Sequence, residues 1–428
     1  MRITSTKHKR IVVLLGSLLV FIMAISVVFA KSHDVLAEEL SFWEDGARTD
    51  EDLVLKDEYV LKHYYPEWYI GYRYPVLPRT SQWPYGNHQD MVDICQLPDG
   101  VLEQMSTEEL LQTVLLYPLL GDINAYDESK FGFNMIKETF PGLKELCRRS
   151  DRMECLLQWI ETHREWFLAK SEEEDEYLDY LFNLPKRNFM LLVNSEDFVR
   201  GGLPDGEDSL LDIINGILSN ESERSVQESR EIYPVSYLGF NDFTYVSSQN
   251  VNTPRGGTMQ GITYDAKENW IFSDNNIYIV FLSDVSSDGI QADRNYWYSV
   301  YGLNPDKNST VKYNCHSYAW YSTSDGNTFW INEFDTYNYT EVSLQSVNVG
   351  GIVVYCESYG GNINSGTTRK HSAIVQGKIY HQAHMNIVVD LYLKSKWGRA
   401  GLYSHQFANC PYYYYGNTNY VSDRIYYN

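Results

Sequence analysis

The sequence predicts an α+β chain in which an α-helical region comes first and a strand-rich domain follows. Three observations carry that expectation. Apolar residues recur at a helical period between about residues 99 and 220, and beyond residue 232 the period shortens to short or alternating runs rich in Val, Ile and Tyr. The chain has 428 residues, 43% of them hydrophobic and only 21% charged, which is enough for two or three buried cores and excludes both a single small module and wholesale disorder. Aromatic residues make up 15%, with 36 Tyr among them, a content that suits sheet surfaces better than helical bundles.

The first thirty residues form a separate segment. Arg2, Lys7, Lys9 and Arg10 precede an uncharged stretch from Ile11 to Ala30, and the small residues Val28 and Ala30 stand three and one before Lys31. This is the pattern of a signal peptide over residues 1–30, cleaved after Ala30. An uncleaved membrane anchor is the alternative, because about 20 apolar residues also span a bilayer. Both readings put the remainder outside the cytoplasm, as a secreted or surface-held protein. Lys and Arg total 35 against 57 Asp and Glu, a formal charge of -22 that becomes -26 once the four basic residues of the leader are removed. A nucleic acid is therefore excluded as the main partner, and association with an anionic cell surface would need specific contacts or the anchor.

Residues 31–98 gather Tyr64, Tyr65, Trp68, Tyr69, Tyr72 and Tyr74 with several prolines, and read as an irregular aromatic segment packed on a folded domain. The helical domain spans 99–225. Ser106 and Glu109 have the spacing of a capping box, and Leu110, Leu111, Val114, Leu115 and Tyr117 share one face until Pro118. Met153, Leu156, Leu157 and Ile160 form a second stripe. Tyr177, Leu178 and Leu181 form a third, opened by Ser171 with Glu174, and Leu210, Leu211, Ile214, Ile217 and Leu218 form a fourth. The acidic run Glu172 to Glu176 sits where the helix dipole favours carboxylates, so it reads as a solvated first turn and not a cation site. The polar residues 219–231 make a linker. In the domain 232–428, Ile277 to Leu282, Gly351 to Tyr355, Ser372 to Val375 and Ile387 to Leu393 read as strands, and Thr253 to Gly257 as a turn.

Six cysteines, at 95, 147, 155, 315, 356 and 410, show no paired metal-ligand spacing, and no cofactor or metal is expected. Cys147 and Cys155 read as buried apolar residues or a local pair, and Cys356 and Cys410 as paired or free. His381 and His384 lie on a hairpin arm, where they point to opposite faces and do not build a metal site. Cys315 differs. It follows the polar loop Asn304 to Thr310 and falls at or near a helix N-terminus, where backbone amides and the dipole lower a thiol pKa and can hold an oxyanion. His316 is its sequence neighbour and points elsewhere on a helix. The base is then His371, at the first position of a strand after the polar turn 362–370, where its ring reaches a thiol on a packed helix. A third group should orient that ring. Ser395 is the nearest polar side chain on the adjacent strand end, with His405 and Asn409 following in a loop.

Asn-Cys-His-Ser-Tyr-Ala-Trp, Gly-Gly-Ile-Val-Val-Tyr, His-Ser-Ala-Ile-Val and Ser-Lys-Trp-Gly occur in that order over roughly the last 120 residues. This order resembles the papain-like amidase and peptidase superfamily, especially the NlpC-type cell-wall peptidases and the cysteine, histidine-dependent amidohydrolases (CHAP domains) of bacteria. The resemblance implies a papain-like domain with a helix packed on an antiparallel sheet, Cys315 as nucleophile, His371 as base and Ser395 in the third position. Ser-Lys-Trp-Gly is also similar to the Asn-Ser-Trp-Gly of papain-type proteases, with Ser395 standing where their asparagine orients the histidine. The Cys-Gly-Ser-Cys-Trp signature of those proteases is absent. The implied reaction is hydrolysis of an amide bond through a thioester, with a peptide or peptidoglycan as substrate. The competing class is a catalytically inactive surface protein that uses the same scaffold to bind glycan or a protein, and an isopeptide-forming transferase is a third.

Overall fold

A computed structural model describes residues 53–127, 129–169, 175–199, 214, 231–235, 243–266, 269–273, 276–280, 284–285, 287–359, 368–413 and 420–428. The leader, the linker up to residue 230 and all but Ile214 of the fourth helical stripe lie outside these residues. Among the described residues no helix is long and apolar enough to cross a membrane.

Residues 53–98 are less irregular than expected, since they contain helices α1 (Asp57–His63) and α2 (His88–Ile94). Between them the backbone finds its partners on the next helix, α3 (Thr107–Leu115). The amide of Ile70 donates to Gln112 Oε1 and that of Tyr72 to Thr113 Oγ1, both at 2.8 Å. A chain whose donors are satisfied by side chains in this way has no need of its own ladder. The capping box at the start of α3 is present. Ser106 Oγ accepts the Glu109 amide at 3.2 Å, and the Glu109 carboxylate accepts the Ser106 amide at 2.8 Å.

Helices α4 (Ser129–Thr139), α5 (Pro141–Leu146), α6 (Arg152–Thr162), α7 (Arg164–Leu168), α8 (Glu176–Val193) and α9 (Glu196–Val199) follow. The second and third stripes lie on α6 and α8. The helix of the third stripe is capped by Asp175, whose carboxylate accepts the amides of Tyr177 and Leu178 at 2.9 and 3.0 Å, while Ser171 and Glu174 lie outside the described residues. A carboxylate there satisfies the orphan donors and meets the positive end of the dipole.

After β1 (Glu231–Val235), β2 (Phe243–Asn252) and β3 (Thr258–Ala266) form a hairpin, and β4 (Asn269–Ser273) pairs with β1 on one side and β5 (Asn276–Val280) on the other. The β2–β3 turn is the expected one, with Gly256 at φ +92° and Thr253 Oγ1 accepting the Gly257 amide at 2.9 Å. Helix α10 (Ser287–Tyr301) precedes the principal sheet. That sheet is built from β6 (Glu341–Val342), β7 (Ile352–Tyr359), β8 (Thr368–His381), β9 (His384–Lys396), β10 (Leu402–Gln406) and β11 (Tyr420–Tyr427). It is antiparallel throughout, in the order β10-β9-β8-β7-β11-β6. The fold is thus α+β, a helical region followed by a six-stranded antiparallel sheet.

Both faces of the sheet are covered. Alternation along the strands sends Val353, Tyr355, Ala373, Val375, Leu391, Leu393 and Tyr403 to one face, where they join the buried side chains of the helices in one cluster. Ile352, Val354, Cys356 and Tyr427 go to the other face, against Trp320, Ile331, Phe334, Val251 and Met259. The change from helices to strands near residue 225 therefore does not divide the core, and residues 55–428 form one unit. All six cysteines are free. Cys356 and Cys410 belong to the clusters on opposite faces of the sheet, which keeps them apart.

Residues 120–127 run through the interior as a 3-10 turn (Leu120–Ala125) and an extended end. Gly398, at φ +41°, lets the turn after β9 lie directly on this segment. A Cβ there would press on the carbonyl oxygens of Tyr126 and Asn124, the latter at 2.7 Å. Urea unfolding of the Gly398→Ala protein is expected to show a loss of more than about 3 kcal/mol. Gly256→Ala, where an added Cβ meets nothing nearer than Asn338 at 3.7 Å, is expected to cost about 1 to 2 kcal/mol for its positive φ alone. Equal losses would contradict the close approach at Gly398.

Candidate active site

Cys315 is the first helical residue of a short segment that widens into a π-helical turn at Ser317–Tyr321. Asn314 fixes this start. Its Oδ1 accepts the amides of Ser317 and Ile331 at 3.0 and 3.2 Å, its Nδ2 donates to Ile331 O and to Asp127 Oδ2 at 3.0 and 2.9 Å, and its carbonyl accepts the Tyr318 amide. The helix is held to β8 through the Ser372 hydroxyl, which lies 2.8 Å from His316 Nδ1 and accepts Trp320 Nε1 at 2.9 Å.

The thiol is 0% exposed. Its S–H donates to Asp127 Oδ2 at 3.6 Å, and the backbone amides of Ser372 and His316 act to lower its pKa. The expected lowering of the thiol pKa is reversed. Burial and then the Asp127 carboxylate push it well above the ordinary range, and the two amides offset only part of that. Asp127 lies 188 residues earlier in the chain, so no local pattern around Cys315 announces it.

His371 is preceded in β8 by three residues, so it stands inside the strand and not at its first position. The register shift between Tyr355 and Cys356 leaves Lys370 as a bulge just before it. The ring is 0% exposed, stacks on Tyr412 with centroids 4.2 Å apart, and has no hydrogen-bond partner on either nitrogen. It therefore makes no hydrogen bond to Cys315. Burial, and then the nearby imidazoles of His405 and His316, keep its pKa well below 6.5, so the ring is neutral at pH 7. Two unpartnered polar atoms in a buried ring cost about 1–3 kcal/mol each, which a fold retains for a reason other than stability.

The third position also differs from expectation. Ser395 Oγ lies 2.8 Å from His405 Nε2 and accepts Trp397 Nε1 at 2.9 Å, while His405 Nδ1 donates to Gln406 O at 2.9 Å. Ser395 thus orients His405 and not His371, and Asn409 Oδ1 is buried without a partner. Between the two strands' ends Lys396 is buried, its Nζ donating to the carbonyls of Thr310, Gly398 and Ala400. Burial lowers its pKa to about 8 against the pull of Asp127, Asp284 and Asp293, so a cation sits beside the thiol and its carboxylate. Tyr412 links the parts. Its ring stacks on His371, and its hydroxyl accepts the Asp127 amide at 3.2 Å.

An open cleft of about 600 Å³ runs along β3, between Thr258, Met259, Gln260 and Ile262 and the segment Asn332 to Asp335. Phe334, which lines it, has its ring 5.0 Å from that of His316. The cleft thus reaches the neighbour of the cysteine through Phe334.

Asp127→Asn is expected to lower the pH midpoint of Cys315 alkylation by iodoacetamide by about one unit or more, followed on the Cys315 peptide by mass spectrometry. An unchanged midpoint would remove Asp127 as the controlling charge. His405 titrates at about 4 in the folded chain against 6.5 when unperturbed, chiefly through burial. Between those values the unfolded chain binds the extra proton, so stability is full above about pH 6.5 and falls as the pH drops toward 4. Melting temperatures should decline over that window, and less steeply in His405→Gln; an equal slope would assign the acid sensitivity elsewhere. Comparison of the chain with protein-family models, curated proteins and solved structures returned no match, so the functional assignment rests on the site itself.

Proposed function

We propose that the chain is a cysteine-dependent amide hydrolase held in a closed form, with Cys315 as nucleophile and His371 as base. The observation that carries this reading is the Ser372 tie between the helix that begins at Cys315 and β8, next in the strand to the unpartnered ring of His371. Tyr412 adds a second link, since its ring stacks on His371 and its hydroxyl accepts the amide of Asp127, the residue that holds the Cys315 thiol. A neutral imidazole with both nitrogens unpartnered can accept a proton once substrate or water reaches it and relieves the burial that now holds its pKa down, and a thiol at a helix start is the donor whose anion amides can hold.

His371 would take the thiol proton as Cys315 attacks the amide carbon, with the resulting oxyanion received by backbone amides at the helix start. Collapse breaks the C–N bond, the amine leaves with the proton from His371, and a thioester remains. A water molecule deprotonated by His371 then hydrolyses the thioester, releasing the carboxylic acid and restoring the thiol. The sequence requires the Asp127 contact to open, because that carboxylate holds the S–H and competes with His371 for its proton.

The cleft beside β3 suits an extended peptide. Glu333 and Asp335 on its rim are exposed carboxylates that fit peptide amino groups. A cell-wall peptide is the substrate class suggested by the motif order and the export leader. One observation favours the competing reading, a surface protein that binds without catalysis: neither Cys315 nor His371 has any exposure, and the expected orienting serine is engaged with His405.

Release of new amino groups from peptidoglycan fragments tests the proposal. The parent and Asp127→Asn proteins should hydrolyse them, whereas Cys315→Ala and His371→Gln should each lose about a thousandfold or more with unchanged melting behaviour. Absence of turnover in both the parent and Asp127→Asn would refute the hydrolase and leave the binding scaffold.

A further inference from the structure

Asp127, Cys315 and His316 each offer one donor atom, and the three atoms lie within 4.8 Å of one another. The residues come from two distant parts of the chain, joined by the Asn314 amide and the Cys315 thiol on the Asp127 carboxylate. A tetrahedral Zn²⁺ with bonds of about 2.0 Å to N and O and about 2.3 Å to S separates its ligand atoms by about 3.5 Å. Cys315 Sγ and Asp127 Oδ2 already stand 3.6 Å apart.

The surroundings are those of a ligand set. The backbone amides of Ser372 and His316 favour the Cys315 thiolate, the effect that outer-shell amides have on a metal thiolate. Asn314 Nδ2 steadies the Asp127 carboxylate at 2.9 Å, and the Ser372 hydroxyl, 2.8 Å from His316 Nδ1, sets the imidazole ring. Charge points the same way. The Cys315 thiol and the Asp127 carboxylate share one proton in the contact at 3.6 Å. A divalent ion that displaces this proton to solvent leaves a neutral set of one carboxylate, one thiolate and one metal.

We propose that Asp127, Cys315 and His316 form a binding site for a soft divalent cation of the Zn²⁺ type, with a fourth position open. The S, N and O donors select such an ion over Mg²⁺ and Ca²⁺, which prefer oxygen alone. Resting on the hydrolase reading, occupancy would also hold the nucleophile as a metal thiolate and so restrain the enzyme.

Metal binding by the full chain tests the site. Dialysis should load one Zn²⁺ that Mg²⁺ does not displace, and Co²⁺ should give the near-ultraviolet band of sulfur-to-metal charge transfer. Cys315→Ser should abolish the band, and Cys315→Ser, Asp127→Asn and His316→Gln should each weaken Zn²⁺ binding more than tenfold. Ser372→Ala should weaken it about tenfold through the outer shell. Melting curves verify that each variant is folded, and Asp127→Asn carries the test if Cys315→Ser is not. The exposed hairpin pair His381 and His384, with ring centroids 5.3 Å apart, is the competing site, and their double exchange to Gln should leave both readings unchanged. Failure of the folded parent to bind Zn²⁺ at micromolar concentration, binding indifferent to Cys315→Ser, or loss in the hairpin variant would overturn the proposal. None of these readings uses turnover. A protein that binds Co²⁺ through sulfur and hydrolyses nothing keeps the metal site and loses the hydrolase, and the reverse result keeps the hydrolase alone.

Discussion

The passage of residues 120–127 through the interior is the constraint on which the rest of the molecule depends. Irregular backbone is expensive to bury because its polar groups lose water, and it persists only where partners are supplied. Here the partners come from everywhere. Asp122, with no exposure, accepts the Tyr296 hydroxyl at 2.6 Å and lies 3.0 Å from His88 Nε2. Asn124 Oδ1 accepts two nitrogens of Arg399, and the Tyr126 hydroxyl donates to Pro411 O at 2.7 Å. Gly398 admits the segment at a distance no other residue allows. Two helices, the turn after β9 and the loop before β11 are tied together by these few contacts.

The same passage delivers Asp127 to the cysteine. The helical region is therefore physically part of the site: it contributes the carboxylate that holds the thiol proton, and the chain continues into α4 directly afterward. Lys396 adds a buried cation held by three carbonyls, and Arg187 pairs with Asp293 at 3.1 Å nearby, its guanidinium over the Tyr296 ring. Such buried charges contribute little net stability as pairs, yet removing one partner strands the other, which makes their arrangement hard to change piecemeal. The thiol thus sits in a pre-set electrostatic field that neither the sheet nor its own helix creates.

Features that depend on neighbouring residues were legible in the chain. The capping box of α3, the stripes of α6 and α8, the turn at Gly256 and the helix start at Cys315 all follow from side chains within four positions of the backbone groups they satisfy. The strands were legible where apolar residues cluster. The strands β10 and β11 were missed, because Leu402 to Gln406 and Tyr420 to Tyr427 carry their apolar residues among Ser, His, Asp and Arg. The third position of the site failed for a different reason. Ser395 pairs with Tyr403 across β9 and β10, which leaves His405 as its same-face diagonal neighbour, and that register cannot be counted from β9 alone.

By itself the sequence determined the α+β order and the helix that begins at Cys315, and it placed His371 on a strand, though three residues too near its start. Each of these is set by local period, capping or turn chemistry, which act over a few residues. Only the tertiary structure decided that Asp127 faces the thiol, that Ser395 serves His405, and that helices and sheet share one core. Those contacts join residues up to 188 positions apart, and they are chosen by the packing of the interior, where a buried polar atom must find whichever partner the fold brings within reach.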